Sequence, residues 1–254
     1  MLRTRNLGWA FIRRSTAKTT APLLALALAL GPVWLSAASP VAAGGTCVGS
    51  RSNYFDGRFN LETQVTYGSK AEILTKKPTV CSGVSSFSGA WTMLDDTASG
   101  GYAQSGFVYD TGVTPLALYV FIQARQDGSH TPTTFYYTAP PLNSMHSYQS
   151  NVNSSGYIDM YIDSTLLATT GFKPASAWTP QPWGNQYSDE TGHCQSDVAG
   201  TASAKEHYTN VLQERTLLGS FLSPLGLVSS HNCGSQYNVS TLSATSFDTW
   251  TTTP

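Results

Sequence analysis

The sequence predicts an all-β fold, a single-domain antiparallel β-sandwich of the concanavalin-like type with two sheets and a concave face. Short segments in which apolar and polar residues alternate recur along the chain, and this period of two is typical of strands. Turn signals rich in Gly, Asn, Asp and Pro separate these segments at short intervals, as in sandwiches and barrels. No internal repeat or interdomain linker interrupts the pattern.

The first 43 residues have the composition of a secretory signal peptide. Five basic residues come first, an apolar run follows at 23–30, and small residues occupy 41–43, which is the order of such a leader. The apolar run is short and Pro32 ends it, which argues against a membrane anchor. The sequence therefore predicts a leader at 1–43, a secreted extracellular domain at 44–254, and no membrane association after cleavage.

The charge of the predicted mature chain bears on its partners. The leader contains five of the 14 Lys and Arg and none of the 15 Asp and Glu, so its removal leaves nine cationic against 15 anionic side chains, a net charge of −6. Nucleic-acid binding needs a basic surface, so nucleic acid is not an expected partner. We expect a monomer.

The four cysteines, Cys47, Cys81, Cys194 and Cys233, form an even set in a chain predicted to be exported. Such a set predicts two disulfides. Three connectivities are possible, and we favour sequential pairing, Cys47 with Cys81 and Cys194 with Cys233, because it closes the shorter loops. No cysteines have zinc-finger spacing and no two histidines lie at i and i+4, so neither a metal nor another cofactor is expected.

The strand pattern is clearest after Cys81. From there the sequence predicts strands at 85–94, 101–110, 115–126, 133–138, 146–152, 157–163, 166–172 and 186–192. Earlier, a strand at 58–67 and one or two helical turns at 69–75 are expected. The segment 204–218 fits a helix or a strand, and we favour a strand or an extended loop for part of it. Closing strands are expected at 227–230, 237–242 and 247–252.

Within this pattern, Gln104 places an amide in the middle of a strand. An uncharged polar group there needs a hydrogen-bond partner or a groove open to water. On the following strand Val120 and Ile122 share one face, and Tyr119 and Phe121 share the other. The sheet therefore presents an aromatic and polar face beside Gln104.

Several common catalytic motifs do not occur in the sequence, including GxSxG, HExxH, the P-loop and the dinucleotide fingerprint. The chemistry must then come from carboxylates and amides. Glutamate is scarce, and Glu206 and Glu214 lie beside basic residues, so we expect them to be solvated. Glu190 lies in a predicted strand, and its neighbour Asp189 must point to the opposite face of the sheet.

The order of these segments resembles that of the fungal glutamic peptidases, the eqolisins. Residues 102–106 resemble the "LQTG" strand of that family, 118–125 its aromatic strand, 148–170 its central hairpin, and 185–191 the strand with the catalytic glutamate. The spacing of 86 residues between the glutamine and the glutamate is also similar, and the resemblance covers about 85–195. The neprosin-like peptidases have a related arrangement with a pair of glutamates, but Gln104 favours the Gln/Glu form.

The resemblance implies a secreted endopeptidase that binds an extended polypeptide. Glu190 would be the general base that activates water, and Gln104 would donate a hydrogen bond to the oxyanion. Tyr119 and Phe121 would contact the substrate. Two alternatives stay open: a non-catalytic secreted sandwich that binds polysaccharide or protein, and a glycoside hydrolase. The last needs a second acid on the face of Glu190, which Asp189 cannot supply.

Overall fold

The computed structural model describes residues 44–60 and 62–252. The predicted leader and the boundary of the mature domain at its N-terminal side lie outside these residues. The described part of the chain is almost entirely β-structure. Its elements are β1 (Gly44–Thr46), β2 (Tyr54–Asn60), β3 (Gly68–Leu74), β4 (Cys81–Ser82), β5 (Phe87–Asp96), β6 (Gly101–Asp110), β7 (Leu118–Arg125), β8 (Thr133–Thr138), β9 (Met145–Val152), β10 (Ile158–Ile162), β11 (Thr165–Thr169), α1 (Pro174–Ala177), β12 (Gly184–Thr191), β13 (Glu206–Glu214), β14 (Phe221–Leu222), β15 (Val228–His231), β16 (Tyr237–Ser243) and β17 (Ser246–Thr251).

Two antiparallel sheets form the sandwich, which confirms the predicted fold class. The front sheet has the strand order β15-β2-β12-β5-β6-β7-β8. The back sheet has the order β11-β10-β9-β3-β13-β17-β16, and β14 pairs with β13. A small parallel pair, β1 and β4, lies outside both sheets. The centre of the front sheet is therefore built from β12, β5, β6 and β7, which come from separate parts of the sequence.

The core lies between the two sheets and combines aliphatic with large aromatic side chains. Successive side chains of a strand point to opposite faces of its sheet, so every second residue faces the core. On β7, Val120 and Ile122 are 2% and 0% exposed and belong to the core, whereas Phe121 between them packs in a separate cluster with Trp91. Each such buried side chain contributes about 1.5–3 kcal/mol to stability. The largest fully buried side chains include Tyr148, Tyr187, Tyr208, Phe107 and Phe247.

The structure corrects two expectations about local structure. The segment 69–75 is not helical, because Ser69, Ala71 and Ile73 alternate inward along β3, a period of two. Glu206 and Glu214 are not solvated, because they are 0% and 1% exposed. Both lie on β13, which is a strand as favoured. Glu206 lies on the inner face where β13 runs between β3 and β17 and cannot reach water there, whereas Glu214 lies at the other end of β13, where the strand pairs with β3 and β14.

Both disulfides form with the predicted sequential pairing, Cys47 with Cys81 and Cys194 with Cys233. Their Cα–Cα distances of 5.1 and 5.5 Å lie within the range of ordinary disulfides. His193, although next to Cys194 in sequence, lies beside the Cys47–Cys81 bond. Within the described ranges, no helix is long and apolar enough to cross a membrane.

Candidate active site

Three rows of side chains cross the outer face of the front sheet. The register of β12, β5, β6 and β7 defines them, because residues paired across neighbouring strands point to the same face. The amide row contains Gln186, Met93, Gln104 and Gln123. The tryptophan row contains Ser188, Trp91, Gly106 and Phe121. The glutamate row contains Glu190, Gly89, Val108 and Tyr119.

Two adjoining cavities open on this face, and together we call them the groove. Both are lined by Gln104 and Glu190, the two residues that the sequence analysis selected, and both include Trp91. The register separates the two selected residues by two rows, with the tryptophan row between them. Gln186, rather than Glu190, is the β12 residue in the row of Gln104. The remaining residues that line both cavities are Asn53 and Gln123.

Glu190 is held by Trp91 from the neighbouring strand. The indole N–H of Trp91 donates a hydrogen bond of 3.1 Å to Oε2 of Glu190. Burial raises the pKa of Glu190 to about 7, while the indole hydrogen bond and the positive charge of Arg51 act in the opposite direction. A carboxyl group with this pKa exchanges protons near neutral pH, which is the property of a general acid or base.

Trp91 needs a small neighbour in its row. A Cβ at Gly106 would lie 2.0 Å from the carbonyl oxygen of Ala90 and 2.7 Å from the Cα and the Cβ of Trp91, which is closer than side chains approach. A larger residue at this position would push β5, and with it Trp91, away from β6. The glycine therefore keeps Trp91 where it contacts Glu190.

A network of hydrogen bonds fixes the orientation of Gln104. Its Nε2 donates to Oε1 of Gln123 at 3.0 Å, and the Tyr102 hydroxyl donates to the same oxygen at 2.6 Å. Gln123 in turn donates through Nε2 to Thr134 at 2.6 Å. Gln123 thus has its oxygen towards Gln104, so the amide nitrogen of Gln104 must face it. Gln104 is 7% exposed, and within the described part of the chain its second N–H has no protein acceptor.

The far end of the groove contains a second carboxylate, Asp110. Asp110 lies on β6 at an even spacing from Gln104, so both side chains point to the same face of the sheet. It lines the same cavity as Glu190. Arg51 lies 3.6 Å from Asp110, and its guanidinium stacks 4.7 Å above the ring of Phe87. Two carboxyl groups and one arginine therefore meet at this end of the groove. The sequence analysis missed Asp110, although its even number on the strand of Gln104 indicated a common face.

The aromatic residues selected from the sequence occupy different places. Phe121 lines the groove. Tyr119 points to the same face but lies outside the residues that line the cavities, and its ring packs 5.5 Å from that of Tyr136. Tyr136, on β8, does line the groove. Sequence reasoning did not assign a site role to Trp91 or Tyr136, although the strands predicted at 85–94 and 133–138 contain them.

Within residues 44–60 and 62–252, one group of His, Cys, Asp and Glu brings ligand atoms close enough for a shared metal ion. It consists of Cys47, Cys81 and His193. The two sulfur atoms are joined in a disulfide, so they are not available as thiolate ligands.

Comparison with known proteins supports the fold. No protein-family model and no curated protein sequence matches the chain. Among solved structures, two complexes of scytalido-glutamic peptidase with transition-state analogues match with TM-scores of 0.54 and 0.55 at 12% and 11% identity. SCP-B, a member of the eqolisin family bound to the tripeptide Ala-Ile-His, matches with a TM-score of 0.51 at 12% identity. Each match covers 80% of this chain and 100% of the other.

At these identities the likeness concerns the fold alone. It covers the whole of the eqolisin chains, and the segments that carry the resemblance in sequence lie on β6, β7 and β12 of the front sheet and on β9, β10 and β11 of the back sheet. The protein thus has a β-sandwich similar to that of the eqolisin glutamic peptidases, a remote resemblance that the sequence predicted.

Proposed function

We propose that the protein is a secreted endopeptidase of the glutamic type. The observation that carries the proposal is Glu190, a carboxyl group whose pKa burial raises to about 7 in an open groove that also contains the amide of Gln104. The similarity of the fold to the eqolisins agrees with this chemistry. The substrate is an extended polypeptide, which Phe121 and Tyr136 contact through ring faces that tolerate many side chains.

In the proposed reaction, the Glu190 carboxylate removes a proton from a water molecule, whose oxygen attacks the scissile carbonyl carbon. The same proton then passes from Glu190 to the leaving amine as the C–N bond breaks. Gln104 donates its second amide N–H to the oxyanion that forms. Because the tryptophan row separates the two residues, the scissile carbonyl must lie above the indole of Trp91.

The deciding experiment is digestion of an unfolded protein by the purified chain 44–254 across pH 4–8. Glu190→Gln should abolish cleavage, and Gln104→Ala should slow it by about 10²–10³, the usual effect of removing one oxyanion donor. Glu72→Gln is the matched control, because Glu72 lies on β3 in the back sheet. Equal cleavage by Glu190→Gln and the parent protein would refute the proposal.

Asp110 favours a second candidate, a glycoside hydrolase that uses Glu190 as the acid and Asp110 as the second carboxylate. Both residues line one cavity, as this chemistry requires. The variant Asp110→Asn distinguishes the two candidates. It should retain most peptide cleavage in a glutamic peptidase, but it should abolish release of reducing ends from a polysaccharide in a glycosidase. Binding of an insoluble polysaccharide without either activity would instead support a binding module.

A further inference from the structure

A second constellation of catalytic residue types lies at one end of the back sheet, away from the groove. Ser144 and His146 are at the start of β9, and Asp163 follows the end of β10. These ends adjoin because β9 and β10 are antiparallel, with Tyr148 paired to Ile162. None of the three residues lines either cavity of the groove.

The three side chains are connected in the atom order of a Ser-His-Asp triad. Oγ of Ser144 lies 2.8 Å from Nε2 of His146, and Nδ1 of His146 lies 2.6 Å from Oδ2 of Asp163. The order matters, because the serine and the aspartate must bind opposite nitrogens of the imidazole.

Two backbone contacts fix the carboxylate. The N–H of Ser147 donates to Oδ1 of Asp163 at 2.9 Å, and the N–H of Asp163 donates to the carbonyl of Ser147 at 2.8 Å. The side chain of His146 is 15% exposed and that of Asp163 is 50% exposed. The imidazole is therefore held between a fixed carboxylate and the serine, with little room to rotate.

The hydrogen bonds also determine which atom carries the proton. A carboxylate can only accept, so Nδ1 of His146 donates to Asp163, and Nε2 of the neutral ring is then an acceptor. The Ser144 hydroxyl can donate to this nitrogen or to the Pro141 carbonyl at 2.5 Å. A small rotation of the hydroxyl hydrogen selects between them. While the hydroxyl donates to the Pro141 carbonyl, Oγ of Ser144 therefore stays within hydrogen-bond distance of Nε2 of His146.

A donor for an oxyanion lies on the serine itself. Among the hydrogen bonds of the described residues, the backbone N–H of Ser144 has no acceptor. The N–H of the nucleophilic residue is one of the two oxyanion donors in the serine peptidases. Leu142 and Met145 lie close to the serine in sequence and are 51% and 37% exposed. The site is thus open to solvent and has apolar side chains beside it.

We propose that Ser144, His146 and Asp163 form a second hydrolytic site that acts on small acyl esters. Oγ of Ser144 forms a bond to the acyl carbon, and its proton passes to Nε2 of His146 and then to the departing alcohol as the ester C–O bond breaks. Water deacylates the serine by the same route, with His146 as the base. The imidazolium formed in between is stabilised by Asp163.

The test uses the purified chain 44–254, p-nitrophenyl acetate as substrate and a fluorophosphonate as covalent probe. The probe should add once, and peptide mapping should place it on Ser144. Ser144→Ala should abolish labelling and lower ester hydrolysis to the rate of free imidazole, and Asp163→Asn should lower it at least about tenfold. Ser155→Ala, a change at an exposed loop serine, should behave as the parent protein.

Three outcomes would overturn the inference: no labelling of the parent protein, labelling on another residue, or full hydrolysis by Ser144→Ala. The labelling result on the parent protein does not depend on whether any variant folds. It is also independent of the function proposed for the groove, because Ser144 lies outside it.

Discussion

Asp189 and Glu190 are neighbours on β12, yet they lie in opposite environments. Asp189 is 0% exposed, points between the sheets and accepts a hydrogen bond of 2.9 Å from the hydroxyl of Tyr208. Glu190 points to the groove, where the indole of Trp91 donates to it. Alternation along one strand thus separates a carboxyl group of the core from a carboxyl group that substrate can reach.

The core carboxyl group belongs to a cluster of three. Asp56 pairs with Asp189 across β2 and β12, and Glu206 approaches from the back sheet. All three are 0% exposed, Glu206 and Asp189 are hydrogen-bonded to each other, and the backbone of Asn238 contacts Asp56. Burial raises the pKa of Asp56 to about 8 and that of Asp189 to about 6, and burial also holds the pKa of Glu206 well above its ordinary range.

The comparison teaches that a raised pKa alone does not identify a catalytic group. The carboxyl groups in both environments are buried enough to bind protons near neutrality. What distinguishes Glu190 is the open groove that it lines, since Asp189 in the core also accepts a hydrogen bond that favours its charged form. None of Asp56, Asp189 and Glu206 lines the groove, and the positive charge of Lys76 acts to lower the pKa of Glu206.

The largest expected effect concerns the core cluster and the pH dependence of stability. A carboxyl group with a raised pKa binds its proton more tightly in the folded state, so its contribution is complete below the unfolded pKa near 4 and is lost as pH rises to the folded value. For Asp56 this window runs from about 4 to about 8. The free energy of unfolding, measured by urea titration, should fall by on the order of 5 kcal/mol across it.

A pair of variants attributes this pH dependence to the cluster. Asp56→Asn should make the decline between pH 4 and 8 shallower by the contribution of Asp56, while the contributions of Asp189, Glu190 and Asp95, whose pKa values are also raised into this window, remain. Asp127→Asn should not, because hydrogen bonds from Ser129 and His130 lower the pKa of Asp127 and place its titration below the window. A stability that is constant or increases from pH 4 to 8 in the parent protein would show that the three carboxyl groups are not buried as described.

The next effect concerns the groove. Glu190→Gln should lower peptide cleavage by about 10²–10⁴, the range for removal of a general base. Measured at pH 4, where the raised pKa keeps Glu190 protonated in the folded state, the free energy of unfolding should change by less than about 1 kcal/mol, because the glutamine oxygen still accepts from Trp91. The two quantities are measured on the same preparation. A large loss of stability in this variant would place Glu190 with the structural carboxyl groups of the core.

A smaller effect is expected when the hydrogen bond to Asp189 is removed. Tyr208→Phe leaves the Asp189 oxygen without this donor in the core, which costs about 1–3 kcal/mol. The fraction that remains folded should cleave peptides at the parental rate, because neither residue lines the groove. Tyr157→Phe is the control, since the hydroxyl of Tyr157 donates no hydrogen bond among the described residues. Urea titration at pH 5 compares the two variants.

The sequence was sufficient to separate Asp189 from Glu190, because the alternation within a strand is local information. It was not sufficient for Glu206, which lies beside Lys205 and was expected to be solvated. Its burial depends on the position of β13 between β3 and β17. That position results from pairings between residues far apart in sequence, and no local pattern encodes them.

The same limit applies to the composition of the groove. Gln104 and Glu190 could be selected from their strands, and the structure brings both to one groove. Arg51 could not be selected, because it precedes β2 in a segment without a strand pattern, and it reaches Asp110 across 59 residues of sequence. The two-row offset between Gln104 and Glu190 was also hidden, since it depends on the register of β12 against β5.

The smallest expected effect tests the hydrogen bond from the indole of Trp91 to Glu190. In Trp91→Phe the carboxylate loses its indole donor, which lowers its pKa in the parent protein. The pKa of Glu190 should therefore rise. A hydrogen bond to a charged group contributes about 1.5 kcal/mol and one pKa unit corresponds to 1.36 kcal/mol, so the shift should be about one unit.

The pH dependence of cleavage measures this shift. A general base acts in its deprotonated form, so the rate of cleavage rises with pH through about 7 in the parent protein, and the midpoint of this rise should move upward in Trp91→Phe. Phe121→Leu, which changes an apolar neighbour of Trp91, should alter the rate but leave the midpoint in place. If the midpoint does not move in Trp91→Phe, the group that titrates during catalysis is not Glu190.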